Sequence, residues 1–458
     1  MSKTFCILPW IHTQTKPNGQ IKPCCRFDIK HPDYKTETGY KFDGYNINNM
    51  SYYDAVNSTV WNEIKLAMLE GQTVPGCRKC YQEDDFQFNY TEDSRKSLRS
   101  MRVKENTLWN NDNQVGVDTI NTPARLRYIE LALGNYCNLK CRTCNGNLST
   151  TWYDDEHILS AHYPDRKFYN LVLNVDNDWY ESDFNDVEEI KFTGGEPMLH
   201  PNFTKTLDML IATGRANLIK LDIFTNASWI PREKVLSRLR QFKFVTINLS
   251  VDGIAHVNDY IRYPSEWATV HESVKEWLMT EKKYSMFSIR WAPVISIFNV
   301  WVFHKMIEWW FNLQHEVKQK PWWQIILNKD DTGTLYTTMI VNIVYDPDYL
   351  NPSLYPNKKL LVSKLLADRD HWIQTMTMDT DNDPHMKNLA ETTLMGIYYK
   401  VLSSVNSKEE SIDIDKVKQF IEFTADLDRI RGQDLRVNLH NLWKRFEGMV
   451  EYRGKIND

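Results

Sequence analysis

Three cysteines lie within eight residues, Cys137, Cys141 and Cys144, in the run LGNYCNLKCRTCN from Leu133 to Asn145. Thiolates bind soft metals, and a C-x3-C-x2-C triplet on one loop can hold three corners of an iron–sulfur cube. A cube has a fourth iron. No fourth cysteine is near in sequence, so that iron would stay open to an outside ligand. The competing reading is a structural zinc site. Zinc prefers four closed ligands, usually in paired cysteine spacings. The nearest downstream histidine, His157, falls outside such a spacing.

A second set of cysteines opens the chain: Cys6, the adjacent pair Cys24-Cys25, and Cys77-x2-Cys80. Thr13 to Pro23 alternates polar and apolar residues around Pro17-Asn18-Gly19. That pattern predicts a hairpin, which would bring Cys6 and the pair to one end. Ser51 to Glu70 predicts one helix, with Ala55, Val56, Trp61, Ile64, Ala67 and Met68 near helical spacing and Gly71 as its stop. Four cysteines can close a tetrahedron around zinc, so spacing alone leaves zinc and iron–sulfur both open for this set.

Both sets need elements to position them. The triplet follows a mostly apolar run, Leu126 to Leu133, which reads as a buried strand. A helix near Leu148–Ser160 and a polar insertion, Ala161–Asp186, come next. Further strands are predicted at Val187–Phe192, Leu218–Phe224, Phe244–Leu249, Tyr284–Trp291 and Trp323–Leu327. Helices near Asn202–Thr213, Arg232–Arg240, Ser265–Glu281 and Val300–Leu313 separate them. Repeated β–α units imply parallel strands with right-handed crossovers.

Polar residues collect at the predicted strand ends: Gly194-Gly195-Glu196-Pro197, Thr225-Asn226, Ser250-Val251-Asp252-Gly253 and Ala292-Pro293-Val294. Two glycines let a backbone approach a ligand closely, and a carboxylate beside them can accept from an ammonium group. As plain structure the same residues read as turns, with Asn226 a helix cap. Arg262 and Arg290 could face a cavity but read first as ordinary surface or packing arginines, and Trp309-Trp310 and Trp322-Trp323 as core or interface.

The triplet after a strand, with Gly194-Gly195-Glu196 after the next, resembles the radical S-adenosylmethionine (SAM) superfamily. The resemblance implies an α/β fold, a partial (β/α)6 TIM-like barrel. It implies a [4Fe–4S] cluster on Cys137, Cys141 and Cys144, whose open iron takes the amino and carboxylate groups of SAM. Reductive cleavage would then give a 5′-deoxyadenosyl radical. Gly194, Gly195, Glu196 and Pro197 would lie near the methionyl amine. Thr225, Asn226, Ser250 and Asp252 would meet the ribose or carboxylate, and the Val294 backbone the adenine. Chemistry of that kind belongs to the cofactor, while the protein orients and shields it.

Cys6, twelve residues, Gly19, four residues, Cys24, and then Cys77-x2-Cys80 is similar to the auxiliary-cluster modules called SPASM and twitch. Those modules normally follow the radical core, whereas this one precedes it. The resemblance implies a second [4Fe–4S] cluster on Cys6, Cys24, Cys77 and Cys80. If Cys24 and Cys25 end an extended strand, they point to opposite faces, which leaves Cys25 a buried thiol or one behind the ligands. A peptide or small protein is the substrate this resemblance implies, with a nucleotide or carbohydrate-like small molecule as the alternative. Flavodoxin or ferredoxin is the kind of reductant expected. A non-enzymatic zinc or iron–sulfur binding protein is a different class, and Glu196 and the strand-end polar residues argue against it.

The expected organisation is an auxiliary module at 1–109, a linker at 110–125, the barrel at 126–345 and a helical extension at 346–458. Gln82–Trp109 is charged and helix-compatible, Asn110–Pro123 is turn-rich, and Leu394–Leu402 and Val417–Leu427 predict helices. With 458 residues, 42% of them hydrophobic and 16 of them tryptophan, a large core is possible. The 55 basic and 60 acidic residues nearly balance, which gives no electrostatic case for nucleic acid or an anionic membrane. Trp291–Phe311 carries Pro293, Asn299, His304, Lys305 and Glu308, so it reads as a strand and an amphipathic helix, not a membrane span. No signal peptide is evident. The grouped cysteines suggest metal sites in a reducing compartment, so a cytoplasmic location is expected.

Overall fold

The structure is a computed structural model that describes residues 4–81, 124–163, 181–230, 232–329, 333, 335–377, 383–406 and 412–453. The expected helix Gln82–Trp109 and turn-rich stretch Asn110–Pro123 lie outside them, as does most of the insertion Ala161–Asp186. The chain divides into two compact units, Met1–Tyr136 with Val172–Asp222, and Cys137–Leu171 with Ile223–Asp458. Those cuts differ from the boundaries expected from sequence.

In the first unit, β1 (His12–Thr15) and β2 (Ile21–Lys22) form the expected antiparallel hairpin, Gln14 opposite Lys22. Gly19 makes its turn at φ +81°. β1 also pairs in parallel with β3 (Tyr128–Ala132), and β3 in parallel with β4 (Glu189–Thr193). The hairpin therefore extends the sheet that carries β3. Alternation within Thr13–Pro23 reveals the strands but not their outer partner. Ile129, Leu131, Ile190 and Phe192 are completely buried, while Lys191 Nζ and Glu130 Oε1 pair at 3.2 Å between them in sequence. This is the period-two alternation of a strand. Helix Pro201–Ala212 follows β4 and buries Phe203, whose ring lies 5.1 Å from that of Phe192.

The single helix predicted over Ser51–Glu70 is two helices, Tyr52–Val56 and Thr59–Leu69. Ser51 Oγ accepts from Asp54 N (3.0 Å), and Ser58 Oγ accepts from Trp61 N (3.4 Å). A second capping serine inside an apolar periodicity restarts the helix. Gly71, at φ +76°, follows the second helix as expected.

The division between the units falls within β5 (Lys220–Thr225). In the second unit β6 (Phe244–Leu249) and β7 (Phe287–Trp291) pair in parallel, from Val245 opposite Phe287 to Leu249 opposite Trp291. Every residue of β6 is buried, as in a strand covered on both faces. Helix Trp267–Lys283 lies in the crossover between them, the connection a parallel pair requires. Trp310, in helix Phe303–Lys318, is buried against Trp291 at 6.1 Å between rings, the core role expected of it.

The sixth strand expected at Trp323–Leu327 is instead helical over Trp322–Ile326. Leu327–Lys329 is extended and runs antiparallel to Leu335–Thr337. A short apolar run has no period that separates strand from helix. Pro321 at the helix N-cap was the local sign of the turn. Parallel pairing continues at Val294–Ile295 with Asn342–Ile343. Beyond lie helices Lys358–Thr377, Pro384–Val405 and Ile414–Arg431, of which the last two contain the expected stretches. Among the described residues no helix is long and apolar enough to cross a membrane.

Candidate metal and cofactor site

In the first unit, Gly194 takes φ +112°, and a Cβ there would lie 2.5 Å from Gly134 O. One at Gly195 would lie 2.2 Å from Tyr136 O. The two strand ends are laced together: Gly195 N donates to Gly134 O (3.1 Å) and Glu196 N to Tyr136 O (2.8 Å). Close backbone packing thus accounts for both glycines. Glu196 is 1% exposed, and its carboxylate accepts from Met198 N (3.4 Å). Pro197 opens the short 3-10 turn that follows.

Cys24 is buried, Cys6, Cys77 and Cys80 are half-buried, and Cys25 is exposed. Burial pushes the Cys77 thiol well above its ordinary value, and the Cys24, Cys6 and Cys80 thiols push it further. The other three sulfurs expected to share a cluster with Cys77 therefore act on it. Two details of the expectation need correction. β2 ends at Lys22, so Cys24 and Cys25 lie in the bend after it, and Cys25 is exposed instead of buried. The cause is local: Phe27 N turns back to Cys24 O (3.1 Å), and Lys22 Nζ donates to Cys25 O (2.7 Å).

In the second unit the triplet loop is held at nearly every residue. Leu139 O accepts from Ser149 Oγ (2.6 Å), and Cys141 O from Trp152 Nε1 (3.1 Å). Lys140 N donates to Tyr263 O (2.8 Å), Arg142 N to Ile261 O (2.7 Å) and Cys144 N to Cys141 O (3.0 Å). Gly146 N donates to Glu156 (2.8 Å), in helix Tyr153–Ser160. Cys141 is buried, and Cys137 and Cys144 are half-buried. Burial pushes the Cys141 and Cys144 thiols up.

The end of β5 meets this loop, and the ends of β6 and β7 are tied to each other. Asn226 Nδ2 lies 3.9 Å from Cys137 Sγ and donates to Asn138 Oδ1 (2.8 Å). Thr225 Oγ1 accepts from Ala227 N (3.3 Å), and Thr225 O accepts from Ser250 N (2.8 Å). Asp252 is completely buried. Its Oδ2 takes Arg262 Nη1 at 2.5 Å and its Oδ1 takes Val294 N at 2.8 Å. The Val294 N–H and both Asp252 oxygens are thus committed within the protein.

Arg262, read from sequence as a surface or packing arginine in preference to a cavity-facing one, lies beside the triplet's Cys141. It is 8% exposed, and its charge opposes the rise of the Cys141 thiol. The available sign was Asp252 itself, because a carboxylate predicted at a buried strand end needs a cation.

Among the described residues no group of three or more His, Cys, Asp or Glu side chains is already gathered as a cage for a metal ion. The surroundings of the triplet nonetheless suit an anionic cluster. Arg262 Nε, Arg142 Nη1 and both terminal nitrogens of Arg431 are buried without a hydrogen-bond partner. A buried donor left unmade costs about 1–3 kcal/mol, more for a charged group. Each guanidinium is already paired with a carboxylate, so it is these remaining N–H groups that thiolates on iron would give an anionic acceptor. The donor set and the buried cations fit the group.

Residues 131–279 match the model of the Radical SAM superfamily. The superfamily is one of enzymes. Among curated relatives, the chain is 28% identical over 138 residues to an uncharacterized protein of Methanocaldococcus jannaschii, covering 30% of this chain and 42% of that protein. It is 27% identical over 130 residues to the GTP 3′,8-cyclase of Synechocystis sp., covering 28% of this chain and 35% of that enzyme. The chain thus spans less than half the length of these relatives. Among solved structures it is similar to native anSMEcpe with bound AdoMet and Kp18Cys peptide, at 17% identity and TM-score 0.34, over 54% of this chain and 60% of that one. It is also similar to SuiB of Streptococcus suis bound to S-adenosylmethionine, at 16% identity and TM-score 0.26, over 55% of this chain and 54% of that one.

Proposed function

We propose that the chain is a radical SAM enzyme whose catalytic [4Fe–4S] cluster is held by Cys137, Cys141 and Cys144. The observation that carries this reading is the buried Arg262 guanidinium, fixed by Asp252, acting on Cys141 and keeping Nε uncommitted. When bound, the cluster and SAM supply reductive cleavage to a 5′-deoxyadenosyl radical, which abstracts hydrogen from a substrate carbon. The protein's part is to bind and orient. Glu196 accepts from the methionyl ammonium. Arg262 offers Nε to the methionyl carboxylate, with Asp252 holding the guanidinium in place. Asn226 fixes the loop at Cys137, and Gly194, Gly195 and Pro197 set the turn that carries Glu196. Thr225, Ser250 and the Val294 carbonyl line the strand ends where the nucleoside would lie.

The N-terminal set, Cys6, Cys24, Cys77 and Cys80, is proposed to hold an auxiliary [4Fe–4S] cluster in a twitch- or SPASM-like module. The action of Cys24, Cys6 and Cys80 on the Cys77 thiol supports that reading. Four ligands would close the cluster, leaving electron transfer or maintenance of shape as its role. A peptide or small protein is the first substrate to test, on the resemblance of this module. A nucleotide is the second, because the relatives matched over the radical SAM domain include GTP 3′,8-cyclases. Reduction by flavodoxin or ferredoxin and a reducing, cytoplasmic location complete the proposal.

The test is anaerobic reconstitution with iron and sulfide, then dithionite and SAM, with 5′-deoxyadenosine measured. Changing Cys137, Cys141 and Cys144 together to alanine should abolish cleavage and leave iron at the N-terminal set. Unchanged iron content in that variant would sink the assignment. Substrate class follows from which addition, peptide or GTP, raises 5′-deoxyadenosine above the uncoupled rate.

A further inference from the structure

Two charged residues one helical turn apart on Ile414–Arg431 reach the triplet loop within the second unit. Asp428, 2% exposed, takes Arg142 Nη2, the side chain between Cys141 and Cys144. The same nitrogen donates to Gln433 Oε1 (2.8 Å) and Arg142 Nε to Tyr260 O (3.0 Å). Asp428 is itself fixed by Tyr260 Oη (2.9 Å to each oxygen), Leu435 N (2.6 Å) and Tyr452 Oη. Arg431, 6% exposed, donates through Nε to Asp155 (2.7 Å), which also takes Lys140 Nζ (2.5 Å). The Arg431 guanidinium lies 4.5 Å from the Trp152 ring, and Trp152 Nε1 holds Cys141 O. Both terminal nitrogens of Arg431 are buried with no partner. The helix thus offers a carboxylate to the loop's Arg142 and a cation to the carboxylate that holds Lys140.

Structural stability alone would not call for this arrangement. Buried ion pairs seldom stabilise more than an apolar replacement does, and a guanidinium with two unmet nitrogens is costly. A partner that is absent until a cluster forms resolves the cost. We infer that Asp428 and Arg431 are positioning residues of the cluster site: Asp428 fixes the loop through Arg142, and Arg431 sets a buried positive charge against Cys141, so the C-terminal extension tunes the reduction potential. Reduction adds negative charge to the cluster, and charge near a cluster shifts its potential. A nearby cation favours the reduced form and a nearby anion disfavours it.

The inference rests on the radical SAM reading, and the test separates the two. Potentiometric EPR titration on the full chain follows the signal that responds to added SAM. Arg431→Gln should lower its midpoint, Arg431→Lys should restore most of it, and Asp428→Asn should raise it. A merely structural defect would lose iron in all three and give no opposed shifts. Wild-type iron with an unmoved midpoint in Arg431→Gln, or shifts of the same sign in the Gln and Asn variants, overturns the inference. Should Arg431→Gln hold no iron, Arg431→Lys decides: wild-type iron and midpoint support the charge, and loss overturns it. A wild-type chain with no SAM-responsive iron signal fails the underlying reading instead.

Discussion

Gly195 and Tyr136 meet backbone to backbone: a Cβ on residue 195 would fall 2.2 Å from Tyr136 O and 2.6 Å from its carbonyl carbon. The obstacle is main chain, which cannot rotate away. Gly195→Ala must therefore part the loop from the stretch before the triplet. Overpacking of this kind costs roughly 1–3 kcal/mol, so melting temperature and iron content should both fall. Gly44→Ala is the control, because a Cβ there meets nothing within 4 Å. Equal melting of the two variants would show that the strand end has room to shift.

Glu196 should separate cofactor binding from cluster assembly. A charge-assisted hydrogen bond from a methionyl ammonium contributes about 1.5–3 kcal/mol. Glu196→Gln keeps an oxygen for Met198 N, so the turn should survive. SAM affinity should drop roughly ten- to a hundredfold, with normal iron, by calorimetry on the clustered protein. Unchanged affinity would leave Glu196 as a turn residue alone.

The sequence was most readable where chemistry and period coincide. The cysteine triplet, the strand-end polar residues and β6 all fell where spacing put them, because each depends on local chain geometry. Pairing of β1 with β3 was invisible, since a strand's partner depends on distant residues. Ser58 looked like one more helical residue, but it caps a new helix. Asp428 gave no sign for the same reason, and Arg262 only an indirect one through Asp252: a buried charge is understood only once its partner is found. Asp252 lies ten residues from Arg262, and Asp428 lies 286 residues from Arg142.

Lys65 makes the stability of the first unit pH-dependent. It is completely buried in helix Thr59–Leu69, donating to Val56 O (2.6 Å) and Asn62 Oδ1 (3.3 Å). Burial lowers its pKa from 10.5 to about 8. Between those values the unfolded chain keeps a proton that the folded chain has shed, so stability rises with pH across that window. Below about pH 8 both states are protonated and the full penalty, at most about 3 kcal/mol, persists. Lys65→Met should remove the rise, and near pH 7 the burial penalty it lifts is offset by roughly 1–3 kcal/mol for the two lost hydrogen bonds. Melting curves of both proteins at pH 7 and pH 10 check this, and parallel pH profiles would refute it.

Cys24 and Cys25 should behave as different residues despite their adjacency. Cys24 is buried and acts on the Cys77 thiol together with Cys6 and Cys80, whereas Cys25 is exposed in the bend, its carbonyl held by Lys22. A two-residue spacer such as Cys77-x2-Cys80 is a common chelate, and on the proposed assignment Cys6 and Cys24 would complete four ligands. Cys24→Ala should lose or degrade the auxiliary cluster, and Cys25→Ala should keep both clusters. Iron counts and Mössbauer spectra on the two variants measure this. The reverse result moves the ligand to Cys25, which would require the bend to open around Phe27 N and Cys24 O. Loss in neither variant would mean an auxiliary site held by three cysteines, with one iron left open.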